Sequence, residues 1–190
     1  AQFRLQFIVL IWGFTGVLGK LITIDAIPLV WYRVLIAAFV LFVVLKWKKI
    51  SLNLSAKDLS MLLGIGVVIG LHWMAFFGAI KVSNVAVALS TLSTGALFSA
   101  FLEPLFFKRK IILSEIILAI VVSACILLIY NASPEYWLGI VLGILCSFLS
   151  ALFSVLNGKI HTKFPARKIM FYEMIGGWLI VCAFLPFFGG

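Results

Sequence analysis

The chain is built from apolar stretches about 20 residues long, separated by short polar joints. A helix needs about 20 apolar residues to cross the ~30 Å hydrocarbon layer, and in lipid it must satisfy all its backbone polar groups internally. The fold class predicted from this pattern is all-α, a polytopic transmembrane helix bundle. The predicted spans are Leu5 to Ile22, Pro28 to Leu45, Leu59 to Ile80, Asn84 to Phe107, Ile111 to Tyr130, Tyr136 to Leu156 and Ile169 to Phe188.

The composition argues against a soluble domain. Of the 190 residues, 65% are hydrophobic and 11% are charged, whereas soluble domains contain about 45–50% apolar and 25% charged residues. There are too few polar side chains to cover a surface in water, so lipid must cover most of it. The three cysteines all lie in apolar stretches, and we expect them to pack as small hydrophobic residues.

The basic residues lie in short runs between the apolar stretches, and this placement predicts the orientation. A net charge of +9 would also suit nucleic acid, but basic runs next to spans are typical of cytoplasmic loops. With the N-terminus in the cytoplasm, twelve of the fifteen basic residues fall on the inner side. We therefore expect a multi-pass protein of the cell membrane, plasma or inner, with a cytoplasmic N-terminus, membrane lipids around it and no nucleic-acid partner.

Two distant segments, residues 10–41 and 149–184, share the same order of features. Each has an apolar helix ending in Gly-Lys, a joint containing Pro, an aromatic pair beside a charge, and then two small residues. A repeat of five helices is odd-numbered, so its second copy must enter the membrane inverted, as in many secondary transporters. We expect residues 1–132 to form a first repeat of five transmembrane helices, and residues 133–190 to begin a second, incomplete one with two.

Several short motifs in the first repeat resemble the EamA family of the drug/metabolite transporter superfamily. They are Ile11-Trp12-Gly13 with Lys20, Pro28 with Arg33 and Ala37-Ala38, the run from Val85 to Leu89, Leu102-Glu103-Pro104, and Glu115. The resemblance implies ten helices in two inverted repeats that alternate between inward-open and outward-open states, of which seven would be present here. It also implies a small organic solute, often an amino acid, a drug-like amine or a nucleotide-related metabolite, that is frequently moved outward.

No catalytic or metal-ligand constellation is visible in the sequence, and there is no ATP-binding motif. We therefore predict no enzyme activity, no cofactor and no metal. The predicted function is a secondary transporter that exports small organic metabolites, such as amino acids or amines, across the cytoplasmic membrane by alternating access. The alternative is a truncated, non-transporting membrane protein that acts through self-association or a partner chain.

Six residues are candidates for substrate binding, because polar or aromatic groups inside a span need a reason to be there. The guanidinium of Arg33 could hold a carboxylate or phosphate, or could anchor the helix at an aromatic belt. His72, beside Trp73, could serve a proton-coupled step or could simply pack against another helix. Ser90 and Thr94 should share one helix face and could line a cavity or a helix contact, and the sixth candidate, in the middle of the first span, is Trp12.

Three charged residues are candidates for gating. Lys20 could act at the outer end of the first helix, or its ammonium could extend to the interface. Glu103 is expected to form an ion pair with the basic run that follows it, with a gate or a proton site as the alternative. Glu173 occupies the position in the second repeat that Arg33 occupies in the first, so inversion would place the two charges at opposite membrane faces.

Overall fold

The computed structural model describes the backbone of residues 2–188, and the side chains of residues 2, 4, 5, 8, 9, 12, 13 and 188 are not among the described ones. The predicted role of Trp12 therefore lies outside the described residues. Within the described part, the regular structure is entirely helical. The helices are α1 (Gln2–Leu21), α2 (Ala26–Trp47), α3 (Ala56–Val82), α4 (Val85–Leu92), α5 (Gly95–Phe107), α6 (Leu113–Ala132), a 3-10 turn (Pro134–Tyr136), α7 (Trp137–Ile160) and α8 (Ala166–Phe188).

Six segments of the described chain are long and apolar enough to cross a membrane. They are α2, α3, α4 together with α5, α6, the 3-10 turn together with α7, and α8. Helix α1 forms where the sequence predicts it, but it is not among these six. The architecture agrees with a polytopic helix bundle, while the ten spans and the inverted repeat remain predictions.

The fourth predicted span is interrupted between Leu92 and Gly95. Ser93 donates its hydroxyl to the Ser90 carbonyl at 2.6 Å, and Thr94 donates its hydroxyl to the Thr91 carbonyl at 2.7 Å. The backbone N–H groups of Ser93 and Thr94 bind the same two carbonyls in tight i to i−3 bonds. The predicted span from Asn84 to Phe107 is confirmed by the apolar segment Val85–Phe107. It consists of two helices, because hydroxyl groups compete for helix carbonyls and favour such turns.

Helix α3 lies at the centre of the bundle, between α2, α7 and α8. Its core contact with α8 depends on glycine, because a Cβ atom at Gly66 would overlap the backbone carbonyl of Glu173, and one at Gly176 would overlap that of Leu63. Gly143 likewise makes room for the Thr91 side chain. These glycines allow close helix crossings within the bundle.

The joints at residues 48–55, 108–112 and 161–165 meet at one end of the bundle, here called the basic end. Lys163 there binds Asp58, with 2.5 Å between Nζ and Oδ1. Lys159 at the end of α7 lies 4.9 Å from the ring centre of Phe106 in α5. The basic residues at the ends of α5 and α7 therefore lie near one another at this end of the bundle.

Candidate functional site

Arg33 on α2 points towards the aromatic side chains of α3. Its guanidinium carbon lies 5.0 Å from the ring centre of Trp73 and 5.5 Å from that of Phe77. Arg33 is partly buried, and among the described residues no carboxylate forms an ion pair with it. The structure thus brings two predicted binding residues, Arg33 and Trp73, into direct contact, and leaves the cation without an anionic partner.

His72, the neighbour of Trp73, points instead towards α7. Its Nδ1 lies 2.8 Å from the carbonyl oxygen of Cys146, and its ring meets Phe153 edge-on at 5.4 Å between centres. A carbonyl only accepts, so Nδ1 must carry the proton in this bond. The side chain therefore joins α3 to α7, which is the packing alternative considered for it, while Nε2 remains for a second partner.

A third group of aromatic residues lies between α2 and α8. Trp31 donates its indole N–H to the Cys182 sulfur at 3.1 Å, and its ring lies 6.0 Å from that of Trp178. The indole nitrogen of Trp178 is buried without a hydrogen-bond partner in the described structure. In the sequence, Trp31 is visible only as part of an aromatic pair, and nothing in the spacing pairs it with Cys182, 151 positions away.

The hydroxyl residues around the helix interruption do not form the expected common face. Ser90 is exposed, whereas Thr94 retains 3% of its accessible surface. The expectation that they share a face is wrong because the helix breaks between them. A fully buried hydroxyl that the sequence argument missed, Ser147 on α7, donates to the Leu92 carbonyl at 2.8 Å and satisfies the end of α4.

Lys20, in the last turn of α1, contacts the C-terminal end of α3. Its ammonium donates to the carbonyl of Ser83 at 3.3 Å, while Lys81 donates to the carbonyl of Ile22, just beyond α1. Each lysine thus binds a carbonyl left free at the end of the other helix, where positive charge is favourable. These reciprocal contacts join the ends of α1 and α3.

Glu103 forms the predicted ion pair with the basic run, through Arg109. Arg109 Nη2 lies 3.1 Å from Glu103 and 2.8 Å from Glu115, so one guanidinium joins α5 to α6. Hydrogen bonding to Glu115 raises the pKa of Arg109, desolvation opposes this, and hydrogen bonding to Glu103 adds to the increase. The three side chains lie at the wall of a cavity of about 270 Å³ between α5 and α6.

Glu173 is buried where α8 crosses α3, with 3% of its surface accessible. The amide of Asn157 on α7 faces its carboxyl group. The structure thus places Glu173 inside the packed centre of the bundle. In the described residues no three His, Cys, Asp or Glu side chains come together as a metal site.

Comparison with known proteins gives one family. Residues 5–131 match the model of the EamA-like transporter family, which confirms the resemblance found in the motifs. No curated protein matches the chain, and no solved structure matches it. The matched range covers Arg33, His72, Trp73 and the cluster around Arg109, whereas Asn157 and Glu173 lie beyond it.

Proposed function

The chain belongs to the EamA-like transporter family, and on this premise we propose that it is a secondary transporter exporting small organic metabolites across the cell membrane by alternating access. Amino acids and other zwitterionic or anionic solutes are the proposed substrates. The family assignment and the six apolar segments support a multi-pass membrane transporter. The choice of substrate class depends on the charges inside the spans.

The observation that carries the proposal is the unpaired guanidinium of Arg33. A charged side chain within a span is costly, and most such residues pair with another group or line a substrate path. The faces of Trp73 and Phe77 stabilise the cation, but neither ring accepts the directed hydrogen bonds that a guanidinium donates. A solute carboxylate would accept two of them in parallel, which is the geometry that arginine binds best.

The test is transport by the full-length protein in proteoliposomes, with labelled amino acids and amines. Arg33→Ala should lower uptake of carboxylate-bearing solutes at least tenfold, because a hydrogen bond to a charged group contributes about 1.5–3 kcal/mol. Arg33→Lys should restore only part of it, since lysine lacks the planar fork. Arg167→Ala is the matched control, because Arg167 is exposed.

Equal transport by wild type and Arg33→Ala would remove Arg33 from the substrate path. If the wild-type protein moved none of the solutes, that result would favour the non-transporting interaction protein. Amines without a carboxylate provide an internal comparison, since their uptake should not depend on Arg33.

The proposed orientation places the basic end in the cytoplasm. Twelve of the fifteen basic residues belong to the segments on that side, which the positive-inside rule favours. An impermeant thiol reagent applied to intact cells should label Asn131→Cys, at the opposite end, and not Lys110→Cys. Labelling of Lys110→Cys alone would invert the assignment.

A further inference from the structure

The carboxyl group of Glu173 is enclosed by helices on several sides. The backbone of Glu173 meets Gly66 of α3 so closely that no Cβ would fit there. Its Oε1 atom is buried and has no hydrogen-bond partner. A buried carboxylate is stable only when paired or fully hydrogen-bonded, and in the described structure Glu173 has no ion pair and has one oxygen without a hydrogen bond.

The amide of Asn157 on α7 faces the same carboxyl group as a hydrogen-bond donor. One neutral donor is too little for a charge held away from water. A proton on Glu173 removes that charge and leaves a carbonyl oxygen that can still accept a hydrogen bond from the Asn157 amide.

The cationic and titratable side chains of the helices packed against Glu173 have contacts elsewhere. On α2, Arg33 and Lys46 lie over the rings of Trp73 and Phe42. On α3 and α7, His72 binds the Cys146 carbonyl, Asp58 binds Lys163, Lys81 binds the Ile22 carbonyl and Lys159 lies over the Phe106 ring.

The remaining groups are on α8 itself and at the basic end. Lys168 donates to the Asn53 carbonyl and Tyr172 donates to the Leu52 carbonyl. Lys57 and Arg167 are exposed. In the described structure, therefore, no cation pairs with Glu173.

We infer that Glu173 is a buried proton-binding site, whose carboxyl group carries a proton in this packing of the helices. On the proposed function, this proton is the one exchanged during transport. Release requires access to water, which this packing of α3, α7 and α8 denies, so proton exchange accompanies a change in that packing.

Infrared spectroscopy of the full-length protein in lipid, without solute, tests the site. The wild type should show the carbonyl stretch of a protonated carboxylic acid at neutral pH, and Glu173→Gln should lose it. Glutamine keeps the shape and an oxygen that can accept from the Asn157 amide, so the fold should be retained. Glu115→Gln is the matched control, because Glu115 is paired with Arg109 and should contribute no acid band.

Asn157→Leu provides a second measurement, since removal of the amide that faces Glu173 should shift the Glu173 band without abolishing it. Absence of the acid band in wild type, or its persistence in Glu173→Gln, would overturn the inference. These infrared measurements do not require transport activity, so their outcome is independent of whether the proposed function is correct.

The exchange of the proton is tested in proteoliposomes with an imposed pH gradient. The gradient should drive solute accumulation by wild type, whereas Glu173→Gln should retain solute exchange and lose accumulation. Accumulation of the same size in both proteins would overturn the role of Glu173 in coupling. Absence of both accumulation and exchange in wild type would contradict the proposed function.

Discussion

Helices α3 and α6 are both apolar enough to span a membrane, yet α3 is much more buried in the bundle than α6. In their most apolar windows, 39% of α3 residues are buried and only 11% of α6 residues are. In water the more buried helix would be the more hydrophobic one. In lipid, apolar side chains are equally well solvated outside the protein, so hydrophobicity does not decide which helix lies inside.

Small residues distinguish the two helices. Helix α3 contains four glycines, Gly64, Gly66, Gly70 and Gly78, while α6 contains none. Two of the four, Gly66 and Gly70, let the α8 backbone approach closely. Helix α6 instead presents branched side chains such as Leu127 and Leu128 at its surface. In the described structure it is joined to α5 by the ion pairs of Arg109. Close backbone approach therefore marks the centre of this protein.

The largest effect is expected from Gly66→Ala. The added methyl group would overlap the Glu173 backbone, which cannot rotate away, so the free energy of unfolding should fall by about 3 kcal/mol. Unfolding in mixed detergent micelles measures it. Gly64→Ala on the same helix is the control, since a Cβ there meets nothing within 4 Å, and equal losses for both would disprove the close contact.

Leu62→Ala should lower the free energy of unfolding by about 2 kcal/mol, at the low end of the range for buried leucines. Leu62 is fully buried, and its loss removes packing contacts. Leu128→Ala on α6 should change the free energy of unfolding by less than about 0.5 kcal/mol, because 68% of the Leu128 surface is exposed. A large cost at Leu128 in the same unfolding assay would indicate that this face of α6 is covered by protein.

Arg109→Ala should detach the end of α6 from α5 with a smaller effect on global stability. Both ion pairs at this end depend on the one guanidinium. Amide hydrogen exchange should become faster in the first turns of α6 and remain unchanged in α3. Partly exposed ion pairs are screened by salt, so high salt should raise exchange in wild type more than in Arg109→Ala, and equal salt dependence would argue against these pairs.

The smallest effect is expected from Lys20→Met. It removes the ammonium from the Ser83 carbonyl. Because Lys20 is exposed, the free energy of unfolding should change by less than about 0.5 kcal/mol. Exchange at the last amides of α1 should increase slightly. Lys81→Met is the reciprocal variant, and unchanged exchange in the double substitution would show that the two lysines do not hold α1.

The site was only partly predictable from the sequence. Arg33 and Glu103 were identified because a charge among apolar residues is conspicuous, and the pairing of Glu103 with a basic residue six positions away was correctly predicted. The prediction that Ser90 and Thr94 share a helix face was wrong, because hydroxyl groups donate hydrogen bonds to backbone carbonyls there and the helix ends. Asn157 was missed, since an amide near the end of an apolar helix gives no signal of its partner.

The sequence by itself determined the apolar helical segments, their order, the basic joints and the family, because these depend on local composition and on short motifs. Only the tertiary structure decided that His72 turns to α7 while Trp73 turns to α2, and that Glu173 and Asn157 face each other. Such choices depend on the rotation of each helix about its axis. In lipid both sides of a helix are apolar, so close packing of glycines and the few polar contacts select that rotation, not a hydrophobic face.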